Sequence, residues 1–454
     1  MRDLEPDGPA LETMMRLATE LIAGVEREPA SAYGDGRVTR AMLRPPPDHP
    51  GDLASLLTDV KAAAAEGVDT AGPGYLAYFP AGGLMSSALG ELIAQVHNRF
   101  TSVAELAPAL VAMEHGVLRW LCDRFALPPG SAGLTTTGGS TATLAALVAA
   151  RHDRLGDDFH EGTLYVTEHT HYCVAKAARI SGLAADRVRV VPAEGLRMDP
   201  GAAAELIAAD RAAGLRPFLM VGTAGTTSTG TVDPLTALAG VARDEGLWFH
   251  VDAAYGGGFQ LTSRGRARLA GVEHADSLVL DPHKSLFLQY GTGVLLVRDG
   301  RTLAAAHTGF GDYLQDLQGV EGLPDFGHLG PELTHEFRGL RMWLPLHLHG
   351  VAAFRDALDE KLDLAALVHR ELSADPLFDL PWEPDLTVVP FRLHSGDAAG
   401  QRLLERINAT GRIFLSSTRV DGRFYLRLNP TSHRTREHHV RDALALIRAL
   451  ARTN

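Results

Sequence analysis

Between about residues 130 and 300, short and almost wholly apolar runs alternate with stretches whose apolar residues recur at helical spacing. The runs predict strands at 132–136, 163–167, 187–191, 217–223, 247–251, 276–280 and 292–297. Helices near 140–153, 171–182, 200–213 and 234–245 fill most of the gaps. Such alternation builds a mainly parallel α/β sheet covered by helices on both faces. Upstream, helical periodicity at 10–28 and 52–66 flanks a Pro-rich break, Arg44-Pro-Pro-Pro-Asp-His-Pro50, and reads as a helical arm. Residues 72–83 are rich in turn formers yet aromatic, which suggests a surface that covers something. After about 340 a long helix leads to strand-like runs at 386–393, 412–417 and 423–428. Helices near 399–409 and 434–451 complete a smaller α+β C-terminal domain.

Composition narrows the functional classes. The 454 residues carry 43 Lys+Arg against 55 Asp+Glu, a formal charge of -12, with no basic run. Nucleic acid and anionic membrane are therefore not expected as partners. No apolar run approaches the roughly 18 residues that span a bilayer. Met1-Arg-Asp-Leu-Glu-Pro lacks the basic start and apolar core of a secretory signal, so a cytoplasmic location is expected. Cys122 and Cys173 are too few for a disulfide framework or a four-sulfur zinc site. Only Lys61, Lys176, Lys284 and Lys361 are lysines, which leaves lysine chemistry few candidates.

Ligands in open α/β sheets bind beyond the carboxyl ends of the strands, and four segments lie there. Thr135-Thr-Thr-Gly-Gly-Ser-Thr-Ala-Thr143 turns from strand into helix. It is either an anion site on free helix amides or a simply capped turn. Asp252, ending Phe249-His-Val-Asp, is placed to hold a buried cation, bind a metal or cap a turn. Lys284, in Asp281-Pro-His-Lys-Ser285, is the one lysine at a predicted strand end of the sheet. Desolvation there would lower its pKa and let it form a Schiff base; otherwise it is a surface lysine. Glu168-His-Thr-His-Tyr-Cys173 contains His-x-His without a third metal ligand, and His171 opens a helix where its ring can lie over a bound ring. The pairs His347/His349 and His438/His439 read as packed or solvated helix positions.

Together, an anion-binding turn, an acid for a protonated ring nitrogen, a Schiff-base lysine and a stacking histidine are what pyridoxal 5'-phosphate requires. The chain resembles the group II pyridoxal-phosphate-dependent amino-acid decarboxylases, typified by the aromatic-L-amino-acid enzymes. His250-Val-Asp-Ala-Ala-Tyr255, Ala275-Asp-Ser277, Pro282-His-Lys284 and Phe337-Arg-Gly-Leu-Arg-Met-Trp343 carry the resemblance in order and spacing. Ala77-Tyr-Phe-Pro80 and the helix Ala142–Arg151 join them. The resemblance implies the fold type I of such enzymes. It divides the chain into a helical arm at 1–84, a large cofactor-binding α/β domain at 85–345 with a seven-stranded sheet, and a small α+β domain at 346–454. It also implies a homodimer tied together by the arm. Carried over by motif, Lys284 is the Schiff-base lysine, Asp252 the partner of the ring nitrogen and His171 the stacking residue. Ala254 packs on the opposite ring face, Thr226 lies near the cofactor edge, and Gly139, Ser140 and His283 hold the phosphate. No metal is implied.

The implied activity is loss of carbon dioxide from an L-amino acid to give an amine. Two positions depart from the family. The loop tyrosine expected to protonate the α-carbon is replaced by Phe326, and such a change in relatives accompanies oxidative deamination to an aldehyde. His328 and Tyr313 are nearby alternative donors. Asp281 stands where the aromatic enzymes carry asparagine, placing an extra carboxylate beside the phosphate. The aromatic, apolar segment Tyr75–Gly83, with Tyr78, Phe79 and Pro80, favours an aromatic substrate; His97 and Arg99 offer the alternative of an acidic one.

Overall fold

The computed structural model describes residues 5–309, 316–317 and 319–453. Seven strands form the central sheet: β1 Ala132–Thr136, β2 Gly162–Val166, β3 Val188–Val190, β4 Arg216–Thr223, β5 Trp248–Asp252, β6 Ser277–Leu280 and β7 Gly293–Val297. Their order is β1-β7-β6-β5-β4-β2-β3. Five neighbours, β6 through β3, run parallel, whereas β7 is antiparallel to both β6 and β1. Strands β2, β5, β6 and β7 are buried at every position, which is why they read as continuous apolar runs rather than alternating ones. The edge strand β3 is partly exposed.

Helices cover this sheet. Helix Gly139–Leu155 buries Ala142, Ala145, Ala146, Ala149 and Ala150, and small residues let it lie close to the strands. Leu147, Leu164, Val174, Phe218, Val221 and Trp248 share one buried cluster between helices 139–155 and 173–180 and strands β2, β4 and β5. Helix Pro200–Ala212 starts at an N-cap, Asp199, whose carboxylate accepts the Gly201 and Ala202 amides at 2.8 and 3.2 Å. After β4, Gly225 has φ 106°, and a Cβ there would lie 2.6 Å from the Tyr255 ring. That turn therefore requires glycine.

The chain divides into two compact units. One comprises residues 83–367 and 382–389 and holds the seven-stranded sheet; the other comprises 1–82, 368–381 and 390–454. The expected arm thus groups with the C-terminal residues, and 346–367, expected in the small domain, group with the sheet. The second unit contains helices Gly8–Gly24 and Leu53–Ala65 and the antiparallel pair Ser416–Val420 and Arg423–Leu428, part of a four-stranded sheet. The expected strand at 412–417 begins later, at Ser416. Phe414 instead bridges Tyr75 in parallel and stacks near its ring at 6.2 Å. The apolar run Ile413–Leu415 is consumed by that contact.

Candidate active site

The carboxyl ends of β1, β2, β4, β5 and β6 open on one edge of the sheet, because β7 alone reverses direction. Asp252 is the last residue of β5 and pairs in register with Val279 of β6. Two residues beyond Val279, Asp281 leads into the single helical turn Pro282–Ser285, which carries His283 and Lys284. Helix 139–155 starts directly beyond β1 and the turn Thr137–Gly138. His171 follows β2, and Thr226 follows β4.

Lys284 Nζ lies 3.0 Å from Asp281 Oδ2, with the aspartate 4% exposed. Burial by itself would lower the ammonium pKa, but the carboxylates of Asp281 and Asp252 outweigh it and raise the pKa above its ordinary value. The lowering expected from desolvation does not occur. The physical reason is the pair of carboxylates, Asp281 in contact with Nζ and Asp252 behind it. His283 donates from Nδ1 to the Thr292 carbonyl at 2.6 Å, which leaves Nε2 3.7 Å from Asp281 Oδ2. Burial holds the His283 pKa below normal despite Asp281.

Asp252 is buried, and its Oδ1 accepts the Ala254 amide at 3.1 Å. His171 Nδ1 accepts the Cys173 amide at 3.3 Å, so the proton of the neutral ring sits on Nε2. Burial lowers the His171 pKa, with Asp252 opposing, and a neutral ring is the form suited to stacking. Cys173, also buried, is pushed up to about 12, so it is a thiol and not a nucleophile. His169 and His171 gain no partner ligand: among the described residues no three His, Cys, Asp or Glu side chains are arranged to hold a metal ion.

The turn at Gly138–Ser140 has the shape of a cradle. A Cβ on Gly139 would sit 3.0 Å from Asp281 Oδ2 and 3.4 Å from Ala254 Cβ, and one on Gly138 would sit 3.3 Å from His283 Cε1. The first amides of a helix have no intrahelical acceptor and carry the positive end of its dipole, which suits a phosphate. Asp281 Oδ1 and Thr223 Oγ1 are buried without a hydrogen-bond partner. These groups fit a phosphate-bearing, aldehyde-bearing ring whose nitrogen is basic. The phosphate would lie on Gly139, Ser140 and His283, the ring nitrogen on Asp252, and the ring between His171 and Ala254.

The other expected residues have surroundings of their own. Thr226 is 1% exposed, and its hydroxyl is bound within its own loop, to Thr229 Oγ1 at 2.9 Å and the Thr231 amide at 3.1 Å. Phe326 begins the single turn Phe326–His328, is fully buried, and packs on His335 with ring centres 4.7 Å apart. Within this chain it is a core residue and not part of the Lys284 cluster. Tyr313 lies outside the described residues. His97, the last residue of helix Met85–His97, and Arg99, two residues on, are exposed. Tyr78, Phe79 and Pro80 belong to the other unit. There Tyr78 takes φ 50°, pinned by Ser416 Oγ on its amide at 3.3 Å and Asn429 Nδ2 on its carbonyl at 2.8 Å, and Arg427 lies over the Phe79 ring.

One group escaped sequence reasoning. Glu114 is fully buried and accepts from Thr135 Oγ1 at 2.6 Å, pairs with His335 Nε2 at 2.7 Å and accepts the Gly339 amide at 3.0 Å. It anchors β1, the strand that ends in the phosphate turn, to the start of helix Gly339–Ser373. Its partners are up to 225 residues distant, and no local pattern marks such a contact.

Comparison with known proteins agrees with this geometry. Residues 39–394 match the family described as the pyridoxal-dependent decarboxylase conserved domain. An aromatic-L-amino-acid decarboxylase of Bacillus atrophaeus is 32% identical, covering 84% of this chain and 81% of that protein. Among solved structures, Oryza sativa TDC with PLP and tryptamine superposes with a TM-score of 0.93 at 28% identity, over 100% of this chain and 99% of that one. The 4-hydroxyphenylacetaldehyde synthase of Rhodiola rosea gives 0.90 at 26%, over 98% and 99%. The sheet order and these neighbours together give fold type I.

Proposed function

The chain belongs to the pyridoxal-dependent decarboxylase family and is a pyridoxal-phosphate-dependent amino-acid decarboxylase, and from that premise we propose that its substrate is an aromatic L-amino acid and its product the amine. The observation that carries the reading is the placement of Lys284 and Asp252 at neighbouring parallel strand ends beside the Gly139 cradle. When bound, the cofactor supplies an electron sink for the negative charge left on the α-carbon as carbon dioxide departs. Lys284 would hold the cofactor through its amine and give it up to the substrate amine. Asp252 would keep the ring nitrogen protonated, where its charge would be worth most in a buried site. His171 would stack on the ring and orient it. The aromatic preference is supported by what the relatives are named for and by the composition of Tyr75–Gly83.

A second reading, decarboxylation with oxidative deamination to an aldehyde, is favoured by Phe326 and by the aldehyde synthase among the structural relatives. Phe326→Tyr separates the two. If wild type makes aldehyde, the tyrosine shifts products toward amine; if it makes amine, the ratio stays put. For the lysine, Lys284→Ala is expected to abolish turnover and the visible band of the lysine-bound cofactor. Full turnover with that band intact would end the assignment.

We also propose a homodimer. Leu89, Leu92, Ile93 and Val96 are all exposed on helix Met85–His97, while its other face buries Ser86, Ser87, Gly90 and Ala94. Their i, i+3, i+4, i+7 spacing makes one apolar stripe facing outward, which a second copy would cover.

A further inference from the structure

Asp281, expected from the resemblance to stand where the aromatic enzymes carry asparagine, touches the lysine. Its carboxylate is almost fully buried, with Oδ2 3.0 Å from Lys284 Nζ and Oδ1 without a partner. Among the described residues, the titratable groups that face Lys284 include Asp281 on its own turn, Asp252 from β5, His171 and Cys173 beyond β2, and His283 next to it. Burial favours neutral His171 and His283, and Cys173 is a thiol. The two carboxylates therefore set the charge on the lysine.

We propose that Asp281 is a positioning residue that keeps Lys284 protonated after a substrate amine displaces it, so that Lys284 Nζ, and not residue 326, delivers the proton to the substrate's α-carbon. The inference rests on the decarboxylase reading above. The substrate enters as an ammonium and sheds a proton in order to attack; the displaced lysine keeps that proton against Asp281. When carbon dioxide leaves, the electron pair of the broken bond stays on the α-carbon. That pair takes the proton, an Nζ–H bond breaking as a Cα–H bond forms. Lys284 is left a neutral amine, the form that can attack again and release the product. No oxidant is consumed. Asp252 accepts the Ala254 amide and would be engaged with the ring nitrogen, so the part falls to Asp281, in contact with Nζ.

The test has two arms. Trace acetylation of the full chain without cofactor, followed by mass spectrometry across pH, reads the lysine directly, with exposed Lys61 and Lys176 as internal references. Asp281→Asn keeps the size and shape of the side chain and is expected to fold. It should lower the Lys284 pKa, so that at neutral pH Lys284 labels about 10-fold faster or more relative to Lys61, as for loss of an opposite charge within contact distance. Asp281→Glu should retain wild-type behaviour. In the cofactor-loaded enzyme, Asp281→Asn should raise the share of aldehyde and peroxide over amine, because the unprotonated carbon then survives to meet dioxygen. Unchanged labelling would overturn the proposal, and so would altered labelling with an unchanged product ratio. Absence of carbon dioxide from wild type with every amino acid would instead sink the decarboxylase reading, and proton delivery with it, while the labelling shift still reports on the Asp281–Lys284 pair.

Discussion

At the scale of single residues, position relative to strand ends identifies the chemistry, and neighbours decide how it behaves. Lys284 and Asp252 stand out in the sequence because an ionisable group at or just beyond the end of an apolar strand must face a ligand or a partner. The charge state of Lys284 was not, because it depends on Asp281, whose contact with Nζ is a matter of side-chain geometry. Asp252→Asn should cut turnover about 10²-fold or more, the usual effect of losing a preorganised charge partner; turnover equal to wild type would remove Asp252 from its role. Gly139→Ala would thrust a methyl to 3.0 Å from Asp281. Titration of the cofactor into the unloaded chain should then show affinity at least about 10-fold weaker. Phe326 was found by counting back from Phe337, yet the structure places it in the core against His335. The count gives a residue's identity and says nothing of which way its ring turns.

At the scale of elements, the seven strands were read almost to the residue, and β2, β5, β6 and β7 most directly, because burial at every position leaves a continuous apolar signal. The strand expected at 412–417 starts late because its apolar residues serve a contact with Tyr75, a choice made by partners distant in sequence. The Glu114–His335–Thr135 group was invisible for the same reason. Removing one partner from a buried pair costs about 3–5 kcal/mol, so Glu114→Ala should lower the denaturation midpoint markedly; an unchanged midpoint would show that the group does not hold β1 in place. Strand β5 also carries His250, fully buried, with Nδ1 2.8 Å from Ser277 Oγ. Burial pushes its pKa from 6.5 down to about 4. The unfolded chain then binds the extra proton between these values, so His250 costs stability as pH falls from 6.5 to about 4. The loss amounts to about 3 kcal/mol at most, and levels off below that window. Unfolding measured against pH should show this acid limb, and His250→Gln should flatten it; an identical limb in the variant would contradict the assignment.

At the scale of the whole molecule, the family resemblance fixed the fold and the cofactor but not how the chain groups into units. Contacts between the first 82 residues and the C-terminal segments decide that, and periodicity does not report them. No helix among the described residues is long and apolar enough to cross a membrane. The outward apolar stripe of helix Met85–His97 leads to a prediction: sedimentation should give twice the 48.6 kDa chain mass, and Ile93→Glu with Val96→Glu should shift it toward one chain. A wild-type monomer would remove the dimer. The most direct measurement of the central claim is of stoichiometry. The cofactor-loaded protein is given L-tryptophan, L-tyrosine or L-phenylalanine while carbon dioxide, amine and dissolved oxygen are followed together. The account predicts one amine for each carbon dioxide released and no oxygen uptake. Carbon dioxide matched instead by aldehyde and peroxide, or no carbon dioxide from any of the three, would contradict it.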